Sequence, residues 1–259
     1  MQNLQYIKNQ LDKYVDKYNT LEFINSDPIQ IPHRFSLKED IEIAGFLAAT
    51  IAWGQRKSII KNAGHLMDLM DNSPYDFLIN YNENTDFKRF TTFVHRTFNS
   101  DDCLFFIKSL KNIYLSHNGL ENVFSFGFEK TQTIYGALTH FRSVFLETAH
   151  AHRAEKHLSD VTRGSAAKRL NMFLRWMVRT DNAGVDFGLW KKIPQSALML
   201  PLDVHSGNVA RTFGLLTRTQ NDWKAVEEIT SVLRTFDASD PVKYDFALFG
   251  AGVSGEIKT

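Results

Sequence analysis

Residues 164–178 read GSAAKRLNMFLRWMV. A helix over 165–179 places Lys168, Arg175 and Arg179, separated by seven and four positions, along one stripe, and sets Leu170, Phe173, Leu174 and Met177 on the opposite side. This is the pattern of an amphipathic helix with its apolar face in a core. The basic stripe has two readings: an ordinary solvated face, or a face turned towards phosphates. The surrounding charge bears on that choice. Residues 151–192 hold nine Lys and Arg against four Asp and Glu, or +5, whereas 1–150 and 193–259 each carry −2.

Outward from this segment, apolar residues recur at spacings of three and four almost everywhere, and strict alternation is nearly absent, so the predicted class is all-α. Leu4, Ile7, Leu11, Val15 and Tyr18 form one stripe; Ile41, Ala44, Leu47, Ala48 and Ile51 form another, apolar enough for a central helix. Further helices are expected near 56–71, 101–117, 131–148, 205–213, 221–236 and 240–250. The extended stretch is LMLPLDV, 198–204, where Pro201 pushes Leu200 away from helical geometry. Breaks are expected at 81–86 (YNENTD) and over 180–194, which carries Asp181, Asn182, Gly184 and Gly188. No period of 20–50 residues repeats, which argues against a solenoid.

The 259 residues are ample for a full hydrophobic core. At 43% hydrophobic and 23% charged, with 14 Gly and 6 Pro, disordered and collagen-like classes are excluded. The single cysteine, Cys103, supports no internal disulfide, no Cys-rich zinc site and no four-cysteine iron–sulfur cluster. The first residues, MQNLQYIKNQLDKYVDKYN, interrupt their apolar positions with Lys, Asp and Gln, and no run approaches a membrane span. The expectation is a cytoplasmic protein with no membrane partner. A net charge of +1 gives no global case for nucleic acid, so that case rests on local charge.

Asp203 closes the extended stretch and precedes VHSGNVARTFGL, which places it as a helix N-cap. A carboxylate held by backbone N–H donors stays ionised and can stabilise a developing positive charge.

The run PLDVHSGNVARTFGL (201–215) resembles the active-site aspartate segment of the helix-hairpin-helix GPD superfamily of DNA glycosylases, with 8-oxoguanine glycosylases the nearest branches. GSAAKRLNMFLRWMV looks like the second helix of that superfamily's hairpin, which puts Lys168 where bifunctional members carry a nucleophilic amine. FLAATIAWGQRKSIIKNAGHLMDLM is similar to its early helix–turn–helix, with Gln55 in the place that approaches the DNA stack, followed by Arg56 and Lys57. PVKYDFALFGAG resembles its late helix. The pieces keep the family's order over about 40–252, and the whole chain also resembles an uncharacterised bacterial family near this superfamily. The departures are two. The usual Leu-Pro-Gly-hydrophobic-Gly hairpin keeps only Gly164, and Lys168 and Asp203 stand 35 positions apart, an interval otherwise seen in an archaeal branch.

The resemblance implies a single globular unit over 1–259, built of two interwoven helical lobes with a cleft between them and a hairpin-like region near 150–215. It implies excision of an oxidised purine from duplex DNA, with associated strand cleavage. Lys168 and Asp203 would be catalytic. Gln55, Arg56, Lys57, Gly164, Arg169, Arg175, Arg179 and His205 would contact DNA, and Trp190 would stack on a flipped base. No cofactor, metal or iron–sulfur cluster is expected: the nine histidines do not pair with carboxylates at helical metal spacing. Nor is there a Walker-type loop, a Gly-x-Ser-x-Gly elbow or a His-Glu-x-x-His helix. Two rival readings remain: a nucleic-acid-binding protein that kept the fold without the chemistry, and a helical interaction protein with no nucleic-acid partner.

Overall fold

A computed structural model describes residues 4–254. The chain divides into two compact units, one formed by the residues up to Asn25 together with those from Val161 onward, the other by Ser26–Asp160. The first unit opens with α1 (Leu4–Tyr18) and α2 (Leu21–Ser26). The second holds α3 (Lys38–Thr50), α4 (Arg56–Leu69), α5 (Pro74–Asn80), α6 (Glu83–Phe90), α7 (Ser100–Ser116), α8 (Leu120–Thr131) and α9 (Ile134–Phe145). The first unit resumes with α10 (Lys168–Val178), α11 (Val204–Thr212), α12 (Trp223–Phe236) and α13 (Tyr244–Ser254). Short 3-10 turns fill several connections, and among the described residues the only β pairing is two isolated bridges. The protein is all-α. Among the described residues no helix is long and apolar enough to cross a membrane.

The second unit is organised around α3, whose residues from Ile41 to Thr50 are all buried. Phe46 is the hub of an aromatic cluster, with Phe106, Phe141 and Phe145 at ring separations of 5.5–6.0 Å. Offset and edge-on ring pairs of this kind add about 0.5–1.5 kcal/mol each beyond their burial. Helix α7 starts on a reciprocal cap in which the Asn99 side chain accepts from the Asp102 N–H and Asp102 accepts from the Asn99 N–H. Two sequence expectations change here. Residues 81–86 are not simply a break, because Asn82 caps α6 by accepting from the Asn84 N–H. The helix expected over 131–148 is instead α9, separated from α8 by Gln132 in the left-handed region at φ 56°.

In the first unit α13 packs on both α1 and α11. Gly250 admits the Tyr18 ring of α1, and Gly252 admits His205 and Val209 of α11. The stretch 198–203 is extended but unpaired into a sheet, and Thr230 of α12 anchors it by accepting from the Leu200 N–H.

Candidate functional site

Helix α10 begins three residues later than its periodicity predicts, and the reason is local. Gly164 (φ +84°) and Ala167 (φ +47°) both take left-handed conformations, which α-helix excludes. For Ala167, almost fully buried, that geometry costs of order 1 kcal/mol or more and must be held by its surroundings. Those surroundings are visible. The Ala167 N–H donates to Ser165 Oγ, the Asn171 side-chain amide donates to the Ala166 carbonyl, and the Trp223 N–H donates to the Gly164 carbonyl. The bend therefore makes Lys168 the first residue of the helix.

Asp203 is the N-cap of α11, accepting from the Ser206 N–H at 2.9 Å. The Asn221 side chain donates to the Asp203 carbonyl, which ties the cap to the start of α12. The two expected catalytic residues, 35 positions apart in sequence, meet: Lys168 Nζ lies 3.7 Å from Asp203 Oδ2. Both side chains reach solvent, at 29% and 19% exposure, so the amine is open to a reactant while its carboxylate partner is fixed by backbone.

The expected basic stripe is corrected by the structure. Arg175 and Arg179 are 3% and 1% exposed, and neither faces a solvent-borne phosphate. Arg175 is bonded to Asp186 and Asp245, and Arg179 to Asp181, Asp186 and Asp240. Both guanidinium groups also lie over the Phe246 ring, at 4.3 and 5.4 Å. The physical reason is that the stripe covers carboxylates from the 181–186 loop and from residues 240–245, so it is a buried ionic layer. Trp190 is likewise corrected. It is 1% exposed and packs edge-on against Phe173 at 5.4 Å, filling the core beneath α10 where a flipped base has no access.

The remaining expected contacts are distributed as follows. His205 is exposed in the first turn of α11, and Gly164 is exposed with open space around it. Arg169 is half-buried, and burial pulls its guanidinium down to about 10. Gln55, Arg56 and Lys57 belong to the second unit: Gln55 is the exposed residue that starts α4 without a side-chain cap, Arg56 is half-buried and Lys57 is exposed. Around them the structure adds cations that the sequence did not group. Arg96 lies against Gly54, at the turn into α4, and Arg34 lies along α4 against Gly64. With exposed Lys57 and Lys61 they give this face four surface cations.

Asp245 was not among the expected site residues. It is buried on α13, bonded to Arg175, and lies within electrostatic reach of both Lys168 and Asp203. Burial pushes its carboxyl up to about 6 against the pull of Arg175; ionised Asp203 adds to the rise and Lys168 opposes it. Its sequence signal was weak: a lone Asp in a helix, within a segment of −2 charge.

A family model matches residues 27–254. The chain belongs to the DUF2400 family of proteins of unknown function. The match takes in Lys168, Asp203, Asp245 and the whole of α4, so every residue of the arrangement just described lies within the part shared with DUF2400. No curated protein and no solved structure matches this DUF2400 chain.

Proposed function

We propose that this chain is a DNA repair glycosylase with associated lyase activity, acting on an oxidised purine such as 8-oxoguanine in duplex DNA. The observation that carries the reading is the Lys168–Asp203 pair: an accessible amine at the start of one helix, 3.7 Å from a carboxylate that caps another. Breaking an N-glycosidic bond leaves the base with the bonding electron pair and builds positive charge at C1′. A fixed carboxylate stabilises that charge, and Asp203 is fixed by the Ser206 N–H. An unprotonated amine attacking the C1′ vacated by the base forms a C–N bond and sheds a proton; opening of the sugar ring gives an iminium, and loss of a C2′ proton to water then expels the 3′ phosphate. The exposed cations Arg34, Lys57, Lys61 and Arg96 of the second unit supply the chemistry of a phosphate-binding face.

The test is borohydride trapping on duplex DNA containing 8-oxoguanine or an abasic site. Reduction of the iminium should leave a covalent protein–DNA adduct, and Lys168→Gln should abolish it. Trapping that persists in the Lys168 variant moves the nucleophile elsewhere. An absence of trapping by a protein that still binds the duplex leaves a nucleic-acid binder without the chemistry.

A further inference from the structure

Around Arg175 and Arg179 the buried carboxylates outnumber the guanidinium groups. The two arginines face Asp186, Asp240 and Asp245, all buried, two positive charges against three negative when all are ionised, and the exposed Asp181 closes the edge of the cluster. Burying an unbalanced charge is costly, and the surplus must be relieved by a proton or by a further cation nearby. Asp240 and Asp245 are the members whose carboxyl groups burial drives upward. They differ in their neighbours. The charged groups acting on Asp240 are Arg179, Asp237 and Asp186, whereas those acting on Asp245 include Lys168 and Asp203 themselves.

The placement follows from the helices. Lys168 and Arg175 are seven residues apart on α10, two turns along one face. Asp245 bonds the Arg175 head, and α13, which carries it, packs against α11, whose cap is Asp203. The charged groups acting on Asp245 are therefore Arg175 and Lys168 from α10, Asp203 from the α11 cap and Asp186 from the intervening loop. From α1, Asp12 accepts from the Tyr244 hydroxyl at the start of α13, and Lys243, in the turn before α13, lies near Asp12 and over the Tyr244 ring.

We propose that Asp245 is a positioning residue for the Lys168–Asp203 pair: its buried carboxylate, clamped by Arg175, competes with Asp203 for the positive charge of Lys168. With Asp245 ionised, two carboxylates share the amine's charge and the potential at the site is negative, which suits stabilisation of a cationic centre. With Asp245 protonated, one of those carboxylates is neutral and the ammonium form of Lys168 loses part of its support. The protonation state of a residue that touches no substrate thus sets the balance between the two duties of the pair. The ion pairs of Asp245 with Arg175 and of Lys168 with Asp203 do not depend on the glycosylase reading; the consequence of their coupling for base removal rests on it.

The experiment follows the Asp245 carboxyl carbon by NMR in protein labelled with carboxyl-13C aspartate, assigned by its loss in Asp245→Asn. In the parent, Asp245 should titrate with a midpoint near 6. Asp203→Asn removes a repelling charge and should lower that midpoint; Lys168→Gln removes an attracting one and should raise it, each by about half a pH unit. Both variants sit at partly exposed positions, so the result does not depend on whether Asp245→Asn keeps the native packing. A midpoint unmoved in both variants overturns the proposal, whatever the activity. Opposite shifts support it, including in a protein that removes no base, where the glycosylase reading alone would fall. In an active protein, the pH profile of base release should bend at the Asp245 midpoint and move with it.

Discussion

Arg175, in the last turn of α10, and Arg179, the extended residue that ends it, divide a single carboxylate between them: Arg175 Nε donates to Asp186 Oδ1 at 3.2 Å and Arg179 Nη1 to Asp186 Oδ2 at 2.9 Å. Asp186 thereby ties the 181–186 loop to the helix that begins at Lys168. All three side chains are nearly sealed from water.

Removing one member of a buried pair strands the charge of the other, at a cost of about 3–5 kcal/mol. Arg175→Ala and Arg179→Ala should therefore each shift the urea unfolding midpoint markedly downward. Neither should act as a selective DNA-binding variant with native stability. Native-like stability in either variant would mean that the ionic layer is not closed in solution.

The phosphate-binding role assigned to the second unit has its own measurement. Each cation that displaces a counterion contributes about 0.9 to the slope of log affinity against log salt. Replacing Lys57, Lys61 or Arg96 by Ala should lower affinity for damaged and undamaged duplex alike and reduce that slope by roughly one per residue. These residues are exposed, so the variants should melt near the parent temperature. A slope unchanged in the triple variant would remove this face from the interface.

Much of this was legible in the sequence, and the limits have physical causes. The stripes of α1 and α3 and the capping position of Asp203 are local signals, set by a helical period and one side-chain hydrogen bond. The fate of Arg175 and Arg179 is not local. The helical spacing puts Arg175 and Arg179 on one side, and both do reach Asp186, although Arg179 lies just past the helix end; what covers them comes from residues 181–186 and 240–245, up to 70 positions away. Helical periodicity shows a stripe and is silent on its partner. The late start of α10 was hidden for a different reason: Ala167 is a good helix former, and only tertiary bonds around Ser165, Asn171 and Trp223 hold it left-handed. The pairing of Lys168 with Asp203 was suggested by family resemblance; nothing in their spacing alone brings them together.

Two duties are assigned to Asp203, and asparagine separates them. Its side-chain oxygen still caps a helix but carries no charge, whereas alanine loses both properties. Asp203→Asn should melt near the parent and bind duplex DNA, yet release base slower by orders of magnitude. Asp203→Ala should lose about 1 kcal/mol as well. Single-turnover base release and thermal melts check this, and equal rates in parent and Asn variant would leave Asp203 a cap alone.

The Asp245 carboxyl is raised from 3.8 in the unfolded chain to about 6 in the folded one, so the folded state holds this proton more tightly. The stabilisation from the protonated group is complete below the unfolded value, declines as pH rises from about 4 and is lost once pH passes about 6. Asp245→Asn has no such proton to release. Urea unfolding of parent and variant at pH 4.5, 5.5, 6.5 and 7.5 should show the parent losing stability relative to the variant across the middle of that range, with a constant difference above it. His95 works in the opposite sense, because burial lowers its imidazole and stability from it is lost on acidification. That contribution is common to both proteins and cancels in the difference. Parallel pH dependences in parent and variant would show that Asp245 does not titrate in this interval, and the site would then keep one charge state across it.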